Sequence, residues 1–178
     1  SPASYGIYFA SRSVTKPVHL RIAFSFRSNL QAQENLGEIR NRPVDVLAER
    51  ASEEWEEHLG RIRVKGGTET QQRIFHTALY RTAMMPSLFT DVTREYIGFD
   101  GQIHKAEDFT YYTDFSLWDT FRTAHPLYNL VARRETEDFM RSLLEMAKAG
   151  GAFPRWPSGA GYTNCMFGTP ADAAVSEA

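Results

Sequence analysis

Residues 111–122 read Tyr111-Tyr112-Thr113-Asp114-Phe115-Ser116-Leu117-Trp118-Asp119-Thr120-Phe121-Arg122. Five aromatic rings, two carboxylates and one guanidinium share twelve positions. A sugar site needs that mixture: flat apolar rings for the C–H face, and a carboxylate and a guanidinium for the hydroxyls. Spacing alone leaves a structural reading open as well. Asp119 and Arg122 stand three residues apart, so they can equally pair as ions on one helix face. Trp118 can serve either as a platform for a sugar or as core, the commoner fate of an aromatic side chain.

Beyond this segment the chain reads helical. A helix starts near Phe115 and reaches Ala124. His125-Pro126 kinks or restarts it, because proline has no N–H and crowds the preceding turn. A further helix spans about Thr136 to Ala149, with Phe139, Leu143 and Ala147 as its buried stripe. Glu137 and Asp138 sit at its positive end and Lys148 at its negative end, and Gly150-Gly151 closes it. Phe153-Pro154-Arg155-Trp156-Pro157 is a loop stiffened by two prolines, which holds the Trp156 indole at little ordering cost. Gly159-Ala160-Gly161 follows as a mobile or close-approach loop; with no lysine after it, it makes a weak phosphate cradle. Ala171 to Ala178 begins another helix.

Before the segment, residues 87–114 read as a long loop region with a small hairpin at Asp100-Gly101, flanked by Tyr96, Ile97 and Ile103. A helix from about Thr70 to Met84 starts at a Thr68/Gln71 capping box and stops at Pro86. Pro43 opens an earlier helix whose apolar face is Leu47, Ala51, Trp55, Leu59 and Ile62, with Trp55 read as packing. Asn29 to Gly37 is a short helix or turn. The chain opens with two strands: Tyr5, Ile7 and Phe9, then Val18, Leu20, Ile22, Phe24 and Phe26, each alternating with smaller or polar residues. Two strands alone rarely hold together in water, so partner strands are expected upstream of Ser1.

Composition narrows the function classes. A net charge of −2 and a pI near 6.2 give no electrostatic footprint for nucleic acid or an anionic membrane. No apolar run of about 18 residues is present to span a bilayer. A single cysteine, Cys165, excludes an internal disulfide framework and a cysteine-based zinc site. Without a basic neighbour it reads as a small buried hydrophobe near the site. No signal peptide is visible, and a chain opening on Ser1 leaves secretion undecided.

The chain resembles the glycoside hydrolase family 92 α-mannosidases. The resemblance is carried by Ser116 to Arg122 running into His125-Pro126-Leu127, and by Phe153-Pro154-Arg155-Trp156 followed by Cys165-Met166-Phe167-Gly168. Phe26 to Leu36, Trp55 with Leu59-Gly60-Arg61-Ile62, Phe75 to Thr82, and Pro86 with Phe89-Thr90-Asp91-Val92 and Tyr96 extend it in order. Two departures stand out. Many members carry Asn-Glu-Thr before Cys-Met, where this chain has Gly161-Tyr162-Thr163-Asn164, and Glu177 replaces a usual aspartate. Both suit a subgroup with another linkage preference.

The resemblance implies a mixed fold: the C-terminal strands of an N-terminal β-sandwich (1–30), a helical linker (31–62), and the first helices of an incomplete (α/α)6 catalytic barrel (63–178). It implies an internal fragment of a calcium-dependent exo-α-mannosidase acting on mannose-containing glycans with inversion, secreted or placed at the cell surface or periplasm. Its catalytic acid and base and its Ca2+ ligands are expected outside this chain, where no Asp-x-Asp-x-Asp-Gly loop occurs. Such a reaction needs two carboxyl groups about 6.5–9.5 Å apart around a water. Of Asp91, Asp114, Asp119 and Asp172, only Asp119 belongs to a motif, and it is expected to bind sugar hydroxyls rather than move a proton. Trp118, Arg122 and Trp156 complete the expected substrate-binding set, Arg122 either bonding hydroxyls or holding Asp119. His125 reads as a structural histidine. The rivals are another (α/α)6 carbohydrate enzyme and a noncatalytic glycan-binding module. The isolated chain is expected to expose apolar faces and aggregate.

Overall fold

The computed structural model describes residues 18–178. The expected strand at Tyr5 to Phe9 lies outside the described residues. The second expected strand, Val18 to Phe26, makes no ladder among the described residues. Its apolar side chains Val18, Leu20, Ile22, Phe24 and Phe26 are exposed rather than buried on one face. The alternation is present in the sequence, but a period-2 stripe becomes a buried face only when neighbouring strands cover it.

Polar contacts fix where this segment enters the rest. Helix α1 (Asn29–Asn35) is capped by Ser28, whose hydroxyl accepts from the Gln31 N–H at 3.1 Å. Asn35 donates to Asp91 Oδ1 at 2.6 Å and to the Phe24 carbonyl at 2.9 Å. Ser25 donates to Asp91 Oδ2 at 2.8 Å, and Arg27 pairs with Glu95. Asp91 is thus committed to structure, not to chemistry.

Helix α2 (Val44–Leu59) forms as the pattern predicts, yet none of its residues is buried. Its stripe is partly covered at Leu47, Trp55, Leu59 and Ile62 and exposed at Ala51, with Trp55 lying 4.5 Å from Tyr80 between ring centroids. Helix α3 (Glu69–Thr82) carries the reciprocal Thr68/Gln71 capping box.

The region read as one hairpin in a loop holds two antiparallel pairs. Strand β2 (Glu95–Ile97) pairs with β3 (Ile103–Lys105) around the Asp100-Gly101 turn, as expected. Strand β1 (Ser87–Leu88) pairs with β4 (Tyr112–Thr113), a contact between residues 25 apart that no local pattern announces.

From β4 onward the chain alternates. Tyr111, Thr113, Phe115 and Leu117 are buried, Asp114, Ser116 and Trp118 face outward to differing degrees, and Tyr112 lies half-buried with its ring against Phe139. The expected helix from Phe115 to Ala124 is therefore two pieces. Helix α4 is a single turn (Leu117–Thr120), and α5 (Ala124–Val131) restarts with Pro126 in its first turn, where a missing N–H costs nothing. Helix α6 (Arg133–Gly150) begins earlier than its apolar stripe. Strand β5 (Pro157–Ser158) pairs with β6 (Gly161–Tyr162), so Gly159-Ala160 is a hairpin turn. Helix α7 (Pro170–Glu177) packs on α4 and α6.

The core sits between α6 and the 111–117 segment. The Phe139 ring meets Tyr112 at 4.8 Å, Tyr128 at 5.7 Å and Phe115 at 5.9 Å, each edge to face. Leu143 and Met146 continue that face, fully buried. Gly150 permits the Tyr162 ring to approach: a Cβ there would lie 2.2 Å from its hydroxyl oxygen. Gly151 ends α6 at φ +84°, a left-handed position suited to glycine.

His125 is buried as expected of a structural histidine, 3% exposed, and neither ring nitrogen makes a hydrogen bond among the described residues. Burial pushes its pKa below the usual 6.5, with the Thr120 backbone pulling weakly the other way. His58 is lowered too, by burial and then by Arg61, against Glu135. A base depressed in the fold gives full stability above pH 6.5, lost as pH falls and the unfolded chain alone takes the proton. In the complete protein, the stability advantage of wild type over His125→Gln should shrink from pH 7.5 to 5.5, by up to about 1.4 kcal/mol per pH unit. Urea titrations check it, and a pH-independent difference would refute it. The isolated chain, with Leu130, Phe167, Ile74 and the 18–26 stripe exposed, should bind a hydrophobic dye and self-associate; a monodisperse species with a sharp melt would contradict this.

Candidate functional site

The outward face of the alternating segment builds the site. Asp114 adopts a left-handed backbone at φ 60°, uncommon for a non-glycine residue, and its Oδ1 accepts from Ser158 Oγ at 2.8 Å. Thr113 Oγ1 donates to the Gly159 carbonyl at 2.7 Å. These two bonds stitch the β5–β6 turn onto the segment and bring the 153–157 loop beside α4. Asp114 is thereby used as a brace.

Loop 153–157 is held as its sequence suggests. Pro154 and Pro157 are fully buried and Trp156 between them is half-buried. The Trp156 carbonyl accepts from Thr163 Oγ1 at 2.6 Å and from the Thr163 N–H at 3.3 Å. Arg155 Nη1 donates to the Met166 carbonyl at 2.9 Å. The 164–168 stretch is unusual in backbone: Asn164, Met166 and Gly168 all have positive φ, a conformation costly for the first two. Cys165, expected to be buried, is exposed in this stretch. A cleft of about 220 Å³ runs beside it, lined by Phe153, Arg155, Trp156, Tyr162 and Asn164.

At α4 the expected residues fall into two groups, Trp156 with Asp119 through Ser116, and Arg122 with Trp118. The Trp156 Nε1–H donates to Ser116 Oγ at 2.8 Å, and Ser116 Oγ donates to Asp119 Oδ2 at 2.6 Å. Trp118 is 37% exposed, with the Phe167 ring 6.4 Å away edge-on and itself 70% exposed. Arg122 lies over the Phe121 ring at 4.3 Å and the Trp118 ring at 5.1 Å, and Nη1 donates to the Trp118 carbonyl at 2.8 Å. The Asp119–Arg122 ion pair that spacing allowed is not formed among the described residues; Asp119 is held by Ser116 instead. Ser116 is the site residue that sequence reasoning missed. Its signal was there, because Ser116-x-x-Asp119 has capping-box spacing.

Asp172 lies exposed on α7, and Asp91 belongs to the α1 clamp. Burial raises the pKa of the Asp138 carboxyl, but that group interacts with Thr110, Arg134 and Arg141, none of which belongs to the Trp118 cluster. Among the described residues, no three His, Cys, Asp or Glu gather as metal ligands. Calcium takes six to eight oxygens, so these residues do not fit it. No described helix is long and apolar enough to cross a membrane.

Comparison with known proteins identifies a family. A model of the "Glycosyl hydrolase family 92 catalytic domain" matches residues 31–178. No curated protein matches. Among solved structures, the chain is similar to the GH92 α-mannosidase BT3965 of Bacteroides thetaiotaomicron, at 33% identity and a TM-score of 0.80 over 84% of this chain and 20% of that one. It is similar to the GH92 inverting mannosidase BT2199 of Bacteroides thetaiotaomicron VPI-5482, at 32% identity and a TM-score of 0.78 over 85% and 21%. A third GH92 glycosyl hydrolase, ccman5, aligns at 25% identity and a TM-score of 0.71 over 83% and 20%. The chain spans about a fifth of the length of these relatives. The helices and small open sheets described above are part of the mixed β-sandwich and (α/α)6-barrel architecture expected from the sequence. With the family model covering all but the first 30 residues, and solved members superposing over more than four-fifths of the chain, this protein belongs to glycosyl hydrolase family 92.

Proposed function

We propose that the complete protein is an exo-acting α-mannosidase. It removes terminal α-mannosyl residues from glycans with inversion, and this chain supplies part of the terminal-mannose subsite. The observation that carries the proposal is the pair of side-chain groups at α4, Trp156 bonded through Ser116 to Asp119 and Arg122 stacked on Trp118. The relatives add support, one being an inverting mannosidase and another α-mannosidase having been solved with mannoimidazole.

In this reading Asp119 binds sugar hydroxyls. One of its oxygens already accepts from Ser116, and Oδ1 makes no hydrogen bond among the described residues. The exposed Trp118 indole offers an apolar face to the ring's C–H groups. Arg122, clamped on the Trp118 carbonyl, keeps a guanidinium at the rim for further hydroxyls. Trp156 closes the other wall. Protonation of the leaving oxygen and activation of water fall to two carboxyls about 6.5–9.5 Å apart, which we place outside this chain. Calcium, the cofactor implied by family membership, would be held there too. The proposed division is 1–30 as the end of a sandwich, 31–62 as linker and 63–178 as the start of the catalytic barrel, in a secreted, surface or periplasmic enzyme.

The complete gene product should release mannose from α-mannosides, and a chelator should abolish the release. Binding without turnover would favour a glycan-binding module, and release of another sugar a different carbohydrate enzyme. Asp119→Asn should lower kcat/KM about 10- to 100-fold, the scale of a lost hydrogen bond to a charged group. Undiminished activity would remove Asp119 from the subsite.

A further inference from the structure

We infer that Ser116 is a positioning residue that couples Trp156 to Asp119, so that the platform and the hydroxyl acceptor of the subsite are set as one unit; this rests on the reading of Asp119 above. The directions of the two hydrogen bonds are fixed by chemistry. An indole N–H can only donate, and an ionised carboxylate can only accept. A serine hydroxyl has one proton and two lone pairs. With the Trp156 Nε1–H occupying a lone pair at 2.8 Å, the Ser116 proton points away from the indole, and Asp119 Oδ2 receives it at 2.6 Å. The second bond is charge-assisted, and its short length fits that class.

Three consequences follow. Oδ2 is committed, so the carboxylate is held in one rotamer with Oδ1 as its ligand-facing acceptor. The plane of the Trp156 ring is tied to α4 across 40 residues of sequence. The 153–157 loop cannot move without breaking the indole bond to Ser116 Oγ, because the buried prolines and the Thr163 bonds leave the indole little freedom of its own. Ser116 is half-buried and its bond from Trp156 is partly buried, whereas the bond to Asp119 lies open to solvent. No other described side chain bonds to Asp119; without Ser116 the carboxylate is free to rotate or to turn toward Arg122.

The test uses the complete enzyme with an aryl α-mannoside as the substrate, and compares Ser116→Ala, Ser116→Thr, Trp156→Phe and the double variant Ser116→Ala/Trp156→Phe with wild type. Ser116→Ala should lower kcat/KM about tenfold, and Ser116→Thr, which keeps the hydroxyl, should recover most of the loss. Trp156→Phe keeps a ring and removes only the donor, and it should lower kcat/KM by a similar factor. The double variant should be no worse than the poorer single one, the non-additivity of a shared chain. Melting temperatures of all four should stay near wild type, separating positioning from folding. Multiplying losses in the double variant, an unaffected Ser116→Ala, or a Thr variant as poor as Ala would overturn the coupling. Asp119→Asn is the separating control. If it lowers kcat/KM about 10- to 100-fold while Ser116→Ala leaves it unchanged, only the coupling fails; if it leaves activity intact, the subsite reading fails and the coupling with it.

Discussion

The contact of the Phe139 ring with Tyr112, Phe115 and Tyr128 is the constraint on which the rest hangs. It seats one face of α6 against the extended 111–117 segment and α5 at once. Each of these rings removes an apolar area from water worth roughly 1.5–3 kcal/mol, and the edge-to-face geometry fixes relative orientation as well as distance. Tyr128 passes the constraint on: its hydroxyl donates to the Thr82 carbonyl at 2.7 Å, holding the end of α3 to α5.

A buried odd-numbered face has an outward even-numbered one. Tyr111, Thr113, Phe115 and Leu117 go into the core, so Asp114, Ser116 and Trp118 are delivered together to the opposite side. The site is in this sense a by-product of core packing. The β5–β6 turn then docks on Asp114 and Thr113, and the indole of Trp156 arrives at Ser116. Strain concentrates where that docking occurs, at Asp114, Asn164 and Met166, a pattern common at functional sites. The polar clamp among Ser25, Asn35, Asp91, Arg27 and Glu95 works at the other end. It fixes the direction in which the 18–26 segment leaves, without burying that segment's own apolar residues.

Much of this was legible in residues alone. The capping box at Thr68/Gln71, the β2–β3 hairpin at Asp100-Gly101, the stripe of Phe139 and Leu143 and the stop at Gly150-Gly151 are local signals with local causes. The segment Trp118 to Arg122 and the Phe153–Trp156 loop together carried both the family and the candidate subsite. What misled was also local. The 115–124 stretch read as one helix, but its first residues follow the period of an extended chain whose partner, β1, lies 25 residues upstream. Cys165 read as a small buried hydrophobe because no basic neighbour activates it, whereas it lies exposed between positive-φ residues Asn164 and Met166. Asp119 and Arg122 had ion-pair spacing, yet the guanidinium chose a backbone carbonyl and two rings.

The sequence by itself determined which residue types are available for sugar recognition, where helices start and stop, and to which family the chain belongs, because motifs, caps and apolar periods act over a few neighbouring residues. Only the tertiary structure decided which of those groups meet. That Ser116 stands between Trp156 and Asp119, that Asp114 and Asp91 serve as braces, and that His125 is buried all depend on how distant parts of the chain pack. Such contacts are selected by how whole faces pack, and no local spacing records them.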